Sequence, residues 1–432
     1  MNEKKCYPLQ RLGELASGNR GVSYKPENLK AAIDDKSVVF LRSNNIQSGT
    51  LNFENVQIVP DSLVSDSQIL KKGDIAVCMS NGSRQLVGKS GMLQHEVEYP
   101  LTVGAFCSVF RCQNEDDSEY VRYLFQSQAY QHGIDVTLAG SAINNLKNSD
   151  VEAIEVPTAP KALRKKIAEI LSTIDNQIDA TQALIDKYTA IKQGMMADLF
   201  SRGIDPETKA LRPTLEEAPE LYHKTPLGML PKGWDVKTLG DISEKITSGS
   251  RDWAKFYSPE GDLFVRISNL TREHVNFRWD SVKHVNIGGG SEGERTQLQP
   301  GDILVSITAD LGIVGVVPEN MGRAYINQHT ALIRLSTYGE NARFIGNYLS
   351  SRCGQEQFEK NNDSGAKAGI NLPTIASLRC PIPEEKEQLL IASKIDALDE
   401  VIADLKREKS KSLSLKQGLM QDLLTGKVSV PA

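Results

Sequence analysis

The chain is written twice. The segment "IKQGMMADLF" at 191–200 returns as "LKQGLMQDLL" at 415–424, an offset of 224 residues. The same offset carries Ile167-Ala168 onto Ile391-Ala392, Asp175 onto Asp399 and Pro157 onto Pro381 without a gap. Upstream the likeness continues with small insertions: "LQRLGELA" against "VKTLGDIS", "VVFLRSNNI" against "DLFVRISNL", "LKKGDIAVCMS" against "LQPGDILVSIT". A chain of 432 residues built this way is two copies of one unit.

Each copy begins with a strand-rich part. Short apolar runs such as Val38 to Leu41 and Ile75 to Met79 are bounded by Gly, Asn, Asp and Ser, the pattern of strands closed by turns. A helix follows. Ile167, Leu171, Ile174, Ile178, Thr181, Ile185 and Tyr188 recur at alternating steps of four and three, a narrow coiled-coil seam. Its twin is Ile391, Ile395, Leu398, Ile402 and Leu405, with Pro381, Pro383 and the acids Glu384, Glu385 and Glu387 at a helix start. The expected fold is α+β: two mixed strand-rich globular domains joined by a pair of long antiparallel coiled-coil helices with an internal pseudo-twofold repeat. Boundaries fall at 1–157 for the first domain, 158–204 for the first helix, 205–232 for a proline-bearing linker, 233–383 for the second domain and 384–427 for the second helix. Packing of each helix on its own domain alone is the competing arrangement.

Composition excludes some functions. No run of about 18 apolar residues could span a bilayer, and the N-terminus lacks the apolar core of a secretory signal, so the expected compartment is the cytoplasm. The net charge of −5 argues mildly against a surface that grips nucleic acid everywhere, though local basic loops or partner subunits could supply the field. Gly88-Lys89-Ser90 suggests a phosphate loop, but Gly82 and Gly88 are separated by five residues rather than four, and the second copy reads "TADLGIVGVV" there. A metal site at Cys78, His95, Cys107 and Cys112 fails the same comparison, because Cys107 meets Thr330 and Cys112 meets Leu335. No G-x-S-x-G, H-E-x-x-H or convincing G-x-G-x-x-G is found, nor an N-P-P-[FY] or D-P-P-[FY] segment.

A domain followed by a helix, repeated, closes on itself if the helices pair antiparallel, with the domains at opposite ends. A helix from Ile167 to Phe200 would be roughly 50 Å long at about 1.5 Å per residue. One turn of DNA is about 34 Å, so two readers on such a rod could each reach a separate stretch of one duplex.

The motifs "W-x-x-x-x-L-G-D-I" at 234–242, "L-x-x-G-D-I-L-V-S" at 298–306, "P-x-P" at 381–383 and the paired "K-Q-G-[LM]-M-x-D-L" helix ends, in this order and duplicated, resemble the specificity subunit of type I restriction-modification systems. The resemblance covers nearly the whole chain. It implies two target recognition domains, each reading one half of a bipartite asymmetric DNA sequence, with the helices as a ruler for the spacer. It implies a catalytically inert chain without a cofactor of its own. Two methyltransferase subunits carrying S-adenosylmethionine would dock on the helices and methylate adenine, and an endonuclease/translocase subunit using ATP and Mg would join for cleavage. The first copy lacks the Trp that opens the second, and its "SRQLVGKSG" is longer than its counterpart.

Base readout favours Arg for guanine and Asn or Gln for adenine. The candidates in the first domain are Arg20, Asn81, Arg84 and Gln85 for bases, with Lys89 and Lys147 for phosphates. In the second domain they are Arg251, Arg272 and Arg295, with Lys367 for phosphate. Gly194 and Gly418 each cost a helix about 0.5 to 1 kcal/mol relative to alanine, which suggests close approach of another chain. Met195, Met196 and Leu199, with Leu419, Met420 and Leu423, would give that partner an adaptable apolar surface, or else be a core patch at a fraying end. A cytoplasmic coiled-coil scaffold for protein partners and a nucleotide-dependent enzyme are the other functional classes considered.

Overall fold

The computed structural model describes residues 6–47, 49–140, 144–288, 292–336, 341–361 and 369–430. The chain divides into two compact units, 1–181 with 408–432, and 182–407. Each unit thus combines one strand-rich domain with the start of one long helix and the end of the other.

The first unit holds a four-stranded antiparallel sheet in the order Ala16–Arg20, Cys107–Cys112, Ile75–Cys78, Ser90–Met92. A three-stranded sheet stands beside it, with Ser37–Leu41 antiparallel to Gln57–Pro60 and parallel to Leu101–Val103. The second unit repeats the four-stranded order with Ser243–Ser248, Thr330–Leu335, Ile303–Ser306 and Val314–Val316. Its companion sheet again carries one parallel pair, Asp262–Val265 with Ala324–Ile326.

The shared motifs are shared because each solves one local problem. In both "G-D" pairs the glycine takes a left-handed backbone, Gly73 at φ 90° and Gly301 at φ 83°, which side chains disfavour. The aspartate that follows is buried and takes a two-pronged arginine from the neighbouring strand: Arg111 on Asp74 at 3.0 and 2.6 Å, Arg334 on Asp302 at 2.7 and 2.7 Å. In "R-x-x-N", the buried Asn45 accepts from the Arg42 amide and donates to the carbonyls of Asn52 and Glu54. Asn269 does the same with Arg266, Arg278 and Ser281.

Each long helix has 41 residues, Lys161–Ser201 and Glu385–Thr425. The first starts six residues ahead of its first seam position, directly after Pro160, where a missing N–H costs nothing. The seam is buried at Ile167, Leu171, Ile178, Thr181 and Ile185, and in the second helix at Ile391, Ile395 and Ile402. Pairing is antiparallel within each unit. In the first, Ile167 and Leu171 share a core with Leu423 and Leu424, while Asp175 meets Lys416. In the second, Leu199 and Phe200 share a core with Ile391 and Ile395, while Lys192 meets Asp399. No helix among the described residues is long and apolar enough to cross a membrane.

The linker is ordered. It forms the hairpin Tyr222–Thr225 with Gly228–Pro231 and is tied back by the buried Glu387. That carboxylate receives Arg212 at 2.9 Å, the Trp234 indole N–H at 3.0 Å and the amide of Ile204 at 2.8 Å. In the first unit Tyr7 occupies the place of Trp234, two residues before the strand Leu9–Arg11, and its amide bonds the carbonyl of Thr425 at 2.9 Å.

Candidate nucleic-acid interface

Strand register gathers a set of loops at one end of each domain. In the first unit Arg20 lies opposite Ser108, Cys78 opposite Cys107, and Leu41 beside Val103. The segments leaving these strands, Ser43–Asn45, 80–85 and 104–106, therefore emerge together, and 144–146 joins them through the bridge of Ser80 with Asn145. The second unit matches pair for pair: Ser248 opposite Ala331, Ser306 opposite Thr330, Val265 beside Ile326, and Thr308 bridged to Gly369. Loops on the ends of a rigid sheet are where variable recognition residues can be placed without disturbing a core.

The candidate residues fall differently within this frame. Asn81 belongs to the cluster: its side chain donates to Ser43 at 3.1 Å and accepts from the Ser83 amide at 2.9 Å. Arg84 and Gln85 are exposed on the same loop, with Arg84 donating to the carbonyl of Asp135 at 3.0 Å. Arg20 is turned inward, onto the carbonyls of Ala105 at 2.7 Å and Leu146 at 3.1 Å, so it holds the cluster together from within. Lys147 is exposed at the start of the helix Asn148–Glu152. Arg251 is exposed just past Ser243–Ser248, and Arg295 reaches Thr247 at 2.8 Å and Ser250 at 3.1 Å. Arg272 is exposed and paired with Asp310 and Gln355. Lys367 lies outside the described residues.

Lys89 sits apart from these loops. It lines a cavity of about 510 Å³ in the first unit, together with Gly88, Ser127, Lys416, Met420 and Leu424. The Gly-Lys-Ser triplet has the wrong surroundings for a phosphate loop. Gly88 takes φ 84°, Ser90 is buried and donates to the Phe125 carbonyl, and the chain runs on into the strand Ser90–Met92 rather than a helix. The left-handed glycine belongs to the repeat: Gly312, at φ 77°, packs on Phe358 as Gly88 packs on Ile134. Cys78, Cys107 and Cys112 are core residues while His95 is exposed, and burial pushes the Cys112 thiol up to about 12.

At the helix ends the expected outward apolar surface is narrower than the sequence pattern implies. Met196, Leu199 and Leu423 are spent in the cores of their own units, with Met195, Leu419 and Met420 half-buried against them. Gly194 and Gly418 face open space: a Cβ at either would meet nothing within 4 Å. No contact within the described chain requires glycine there.

A family model, the type I restriction modification DNA specificity domain, matches this chain twice, over residues 9–189 and 231–415. The chain belongs to that family. Its two matches coincide with the two copies read from the sequence. The chain is 25% identical to the type I restriction enzyme StySPI specificity subunit of Salmonella potsdam and 26% identical to the EcoKI specificity subunit of Escherichia coli K12. Each alignment covers 94% of this chain and 84% of the relative. Among solved structures, the S subunit of a type I restriction-modification system from M. genitalium superposes with a TM-score of 0.57 at 16% identity, over 100% of this chain and 98% of the other. A chain from a structure describing assembly and conformational transition of the type I system gives 0.52 at 15% identity, over 98% of both. These structures share the fold of this specificity-family chain.

What sequence reasoning missed is the structural use of its polar residues. The inward turn of Arg20 and the exposed Phe106 come from pairings between segments far apart in the chain, and no local pattern signals them.

Proposed function

We propose that this chain is the DNA-reading subunit of a type I restriction-modification complex and that its two strand-end loop clusters each read one half of a bipartite, asymmetric target. The observation that carries this reading is the repetition of one frame whose loops carry different side chains in the two units. A frame held constant by Asp74–Arg111 and Asp302–Arg334 presents Asn81, Arg84 and Gln85 in one unit and Arg251, Arg272 and Arg295 in the other. Two different readers give an asymmetric target, and amide and guanidinium groups on loops suit base edges in the major groove.

In this reading the long helices set the unspecified spacer, and the open glycines Gly194 and Gly418 mark where two methyltransferase subunits dock. The chain itself is not catalytic. S-adenosylmethionine belongs to the methyltransferase subunits, ATP and Mg to endonuclease subunits, and the complex works on double-stranded DNA in the cytoplasm. Partner subunits supply much of the positive field that a chain of net charge −5 lacks.

The test is selection. The chain with its methyltransferase partner is mixed with duplexes of random sequence at a salt concentration where nonspecific binding has faded, and the retained DNA is sequenced. Two short conserved blocks at one fixed spacing support the reading. Retention without any enriched sequence overturns it and leaves the scaffold alternative.

A further inference from the structure

Phe106 is a large apolar side chain presented on the reading end of the first domain by a turn held on several sides by hydrogen bonds. The residue is 68% exposed. Its backbone is clamped: the Phe106 carbonyl accepts from the amides of Met79 at 2.8 Å and Ser80 at 3.1 Å, and the Ala105 carbonyl accepts from Arg20 at 2.7 Å. The turn closes through the Cys107 amide on the Gly104 carbonyl at 2.8 Å. Gly21 packs so closely beneath it that a Cβ there would lie 2.3 Å from the carbonyl oxygens of Val103 and Gly104.

The second domain builds the same turn. The Ile307 amide bonds the His329 carbonyl at 3.0 Å, the Thr330 amide closes on Asn327 at 3.2 Å, and Gly249 presses on Ile326 and Asn327. At the place of Phe106 this turn carries His329, whose ring is tied to Thr308 at 2.7 Å and Gln328 at 2.9 Å. One frame therefore offers a bare aromatic face in one unit and a hydrogen-bonded imidazole in the other. An exposed ring gains nothing for the fold, whereas a ring carried on a turn bonded to Ser80, the residue before Asn81 and the bridge partner of Asn145, is placed to meet a base while these amides read its neighbours.

Resting on the DNA-reading function above, we propose that Phe106 is a base-contacting specificity residue of the first domain, stacking on or wedging against a base of its half-site. Base–aromatic contacts of this kind are worth on the order of 10- to 100-fold in affinity.

The experiment uses the complete complex with its methyltransferase partner and the duplex found by sequence selection. Phe106→Ala is expected to weaken binding to that duplex by roughly 10- to 100-fold, leave nonspecific binding at low salt unchanged, and leave the melting temperature unchanged because the ring is exposed. Phe106→Trp, which keeps an aromatic face, is expected to restore most of the affinity. Sequence-selected DNA repeated with Phe106→Ala should lose preference in one half-site only. If the wild-type complex selects a sequence and Phe106→Ala binds it equally well, this proposal falls while the DNA-reading function stands. If the wild-type complex selects no sequence, both fall.

Discussion

Lys192 donates to Asp399 at 2.5 Å between the two long helices of the second unit, and both side chains are more than nine-tenths buried. The repeat places Lys416 on Asp175 at 2.6 Å in the first unit, where the side chains are 17% and 18% exposed. The two pairs are the same contact with donor and acceptor helix exchanged. Their surroundings differ. Asp175 also receives Tyr123 at 2.7 Å and Arg122 at 3.1 Å. Asp399 has a second oxygen with no partner among the described residues, and burial pushes its carboxyl up from the usual carboxylate range against the pull of Lys192.

Removing the lysine should therefore hurt the second unit more. Lys192→Met leaves a buried carboxylate without a counter-charge and is expected to cost about 3 to 5 kcal/mol. Lys416→Met leaves Asp175 two other donors and should cost about 1 to 2 kcal/mol. Urea denaturation followed by circular dichroism measures both. Adding Asp399→Leu to Lys192→Met should recover a large part of the loss, and a double variant no more stable than the single one would refute the ion-pair account.

The same pair gives a pH dependence. A carboxyl whose folded pKa is raised binds its proton longer in the native state than in the unfolded chain, so its contribution is complete below the ordinary value of about 3.9 and is lost as pH rises through the folded value. Lys192→Met removes the group that opposes the upward shift. The variant should lose stability from about pH 4 upward more steeply than the wild type. Denaturation midpoints measured between pH 4 and 7 that run parallel for the two proteins would contradict this.

Glu387 makes a second local prediction. Glu387→Leu strands the Arg212 guanidinium, the Trp234 indole N–H and the Ile204 amide together, and is expected to cost about 3 to 5 kcal/mol. Glu387→Gln keeps one acceptor and should cost less. Hydrogen exchange at the Ile204 amide reads the clamp directly: it should quicken strongly in Glu387→Leu. Unchanged protection would mean that the linker is held by something else.

Much of this was legible in the sequence, for identifiable reasons. Duplication, the short apolar strand runs and the four-three seam are local patterns, and they returned two similar units with antiparallel helices. The "G-D" pairs could be noticed but not explained, since their meaning lies in Arg111 and Arg334 on other strands. The burial of Lys192 and Lys416 is not legible in the sequence, because nothing in a helical repeat announces that a lysine will be buried against the partner helix. The missing Trp of the first copy was visible as a departure. Only the register shows Tyr7 in its place, its buried hydroxyl without a partner among the described residues.

Arg20 separates a reading arginine from a framing one. Its guanidinium holds the Phe106 turn through the Ala105 carbonyl and the following loop through the Leu146 carbonyl, so its fork shape matters more than its charge. Arg20→Ala should cost about 1 to 3 kcal/mol by leaving these carbonyls unmatched, and Arg20→Lys should recover little of it. Arg251→Ala, by contrast, alters an exposed side chain and should shift stability by no more than about 0.5 kcal/mol. If thermal melts show Arg20→Ala as harmless as Arg251→Ala, the turn does not depend on Arg20. In that case the turn that holds Phe106 rests on the Met79 and Ser80 amides and on the bond of the Cys107 amide to Gly104.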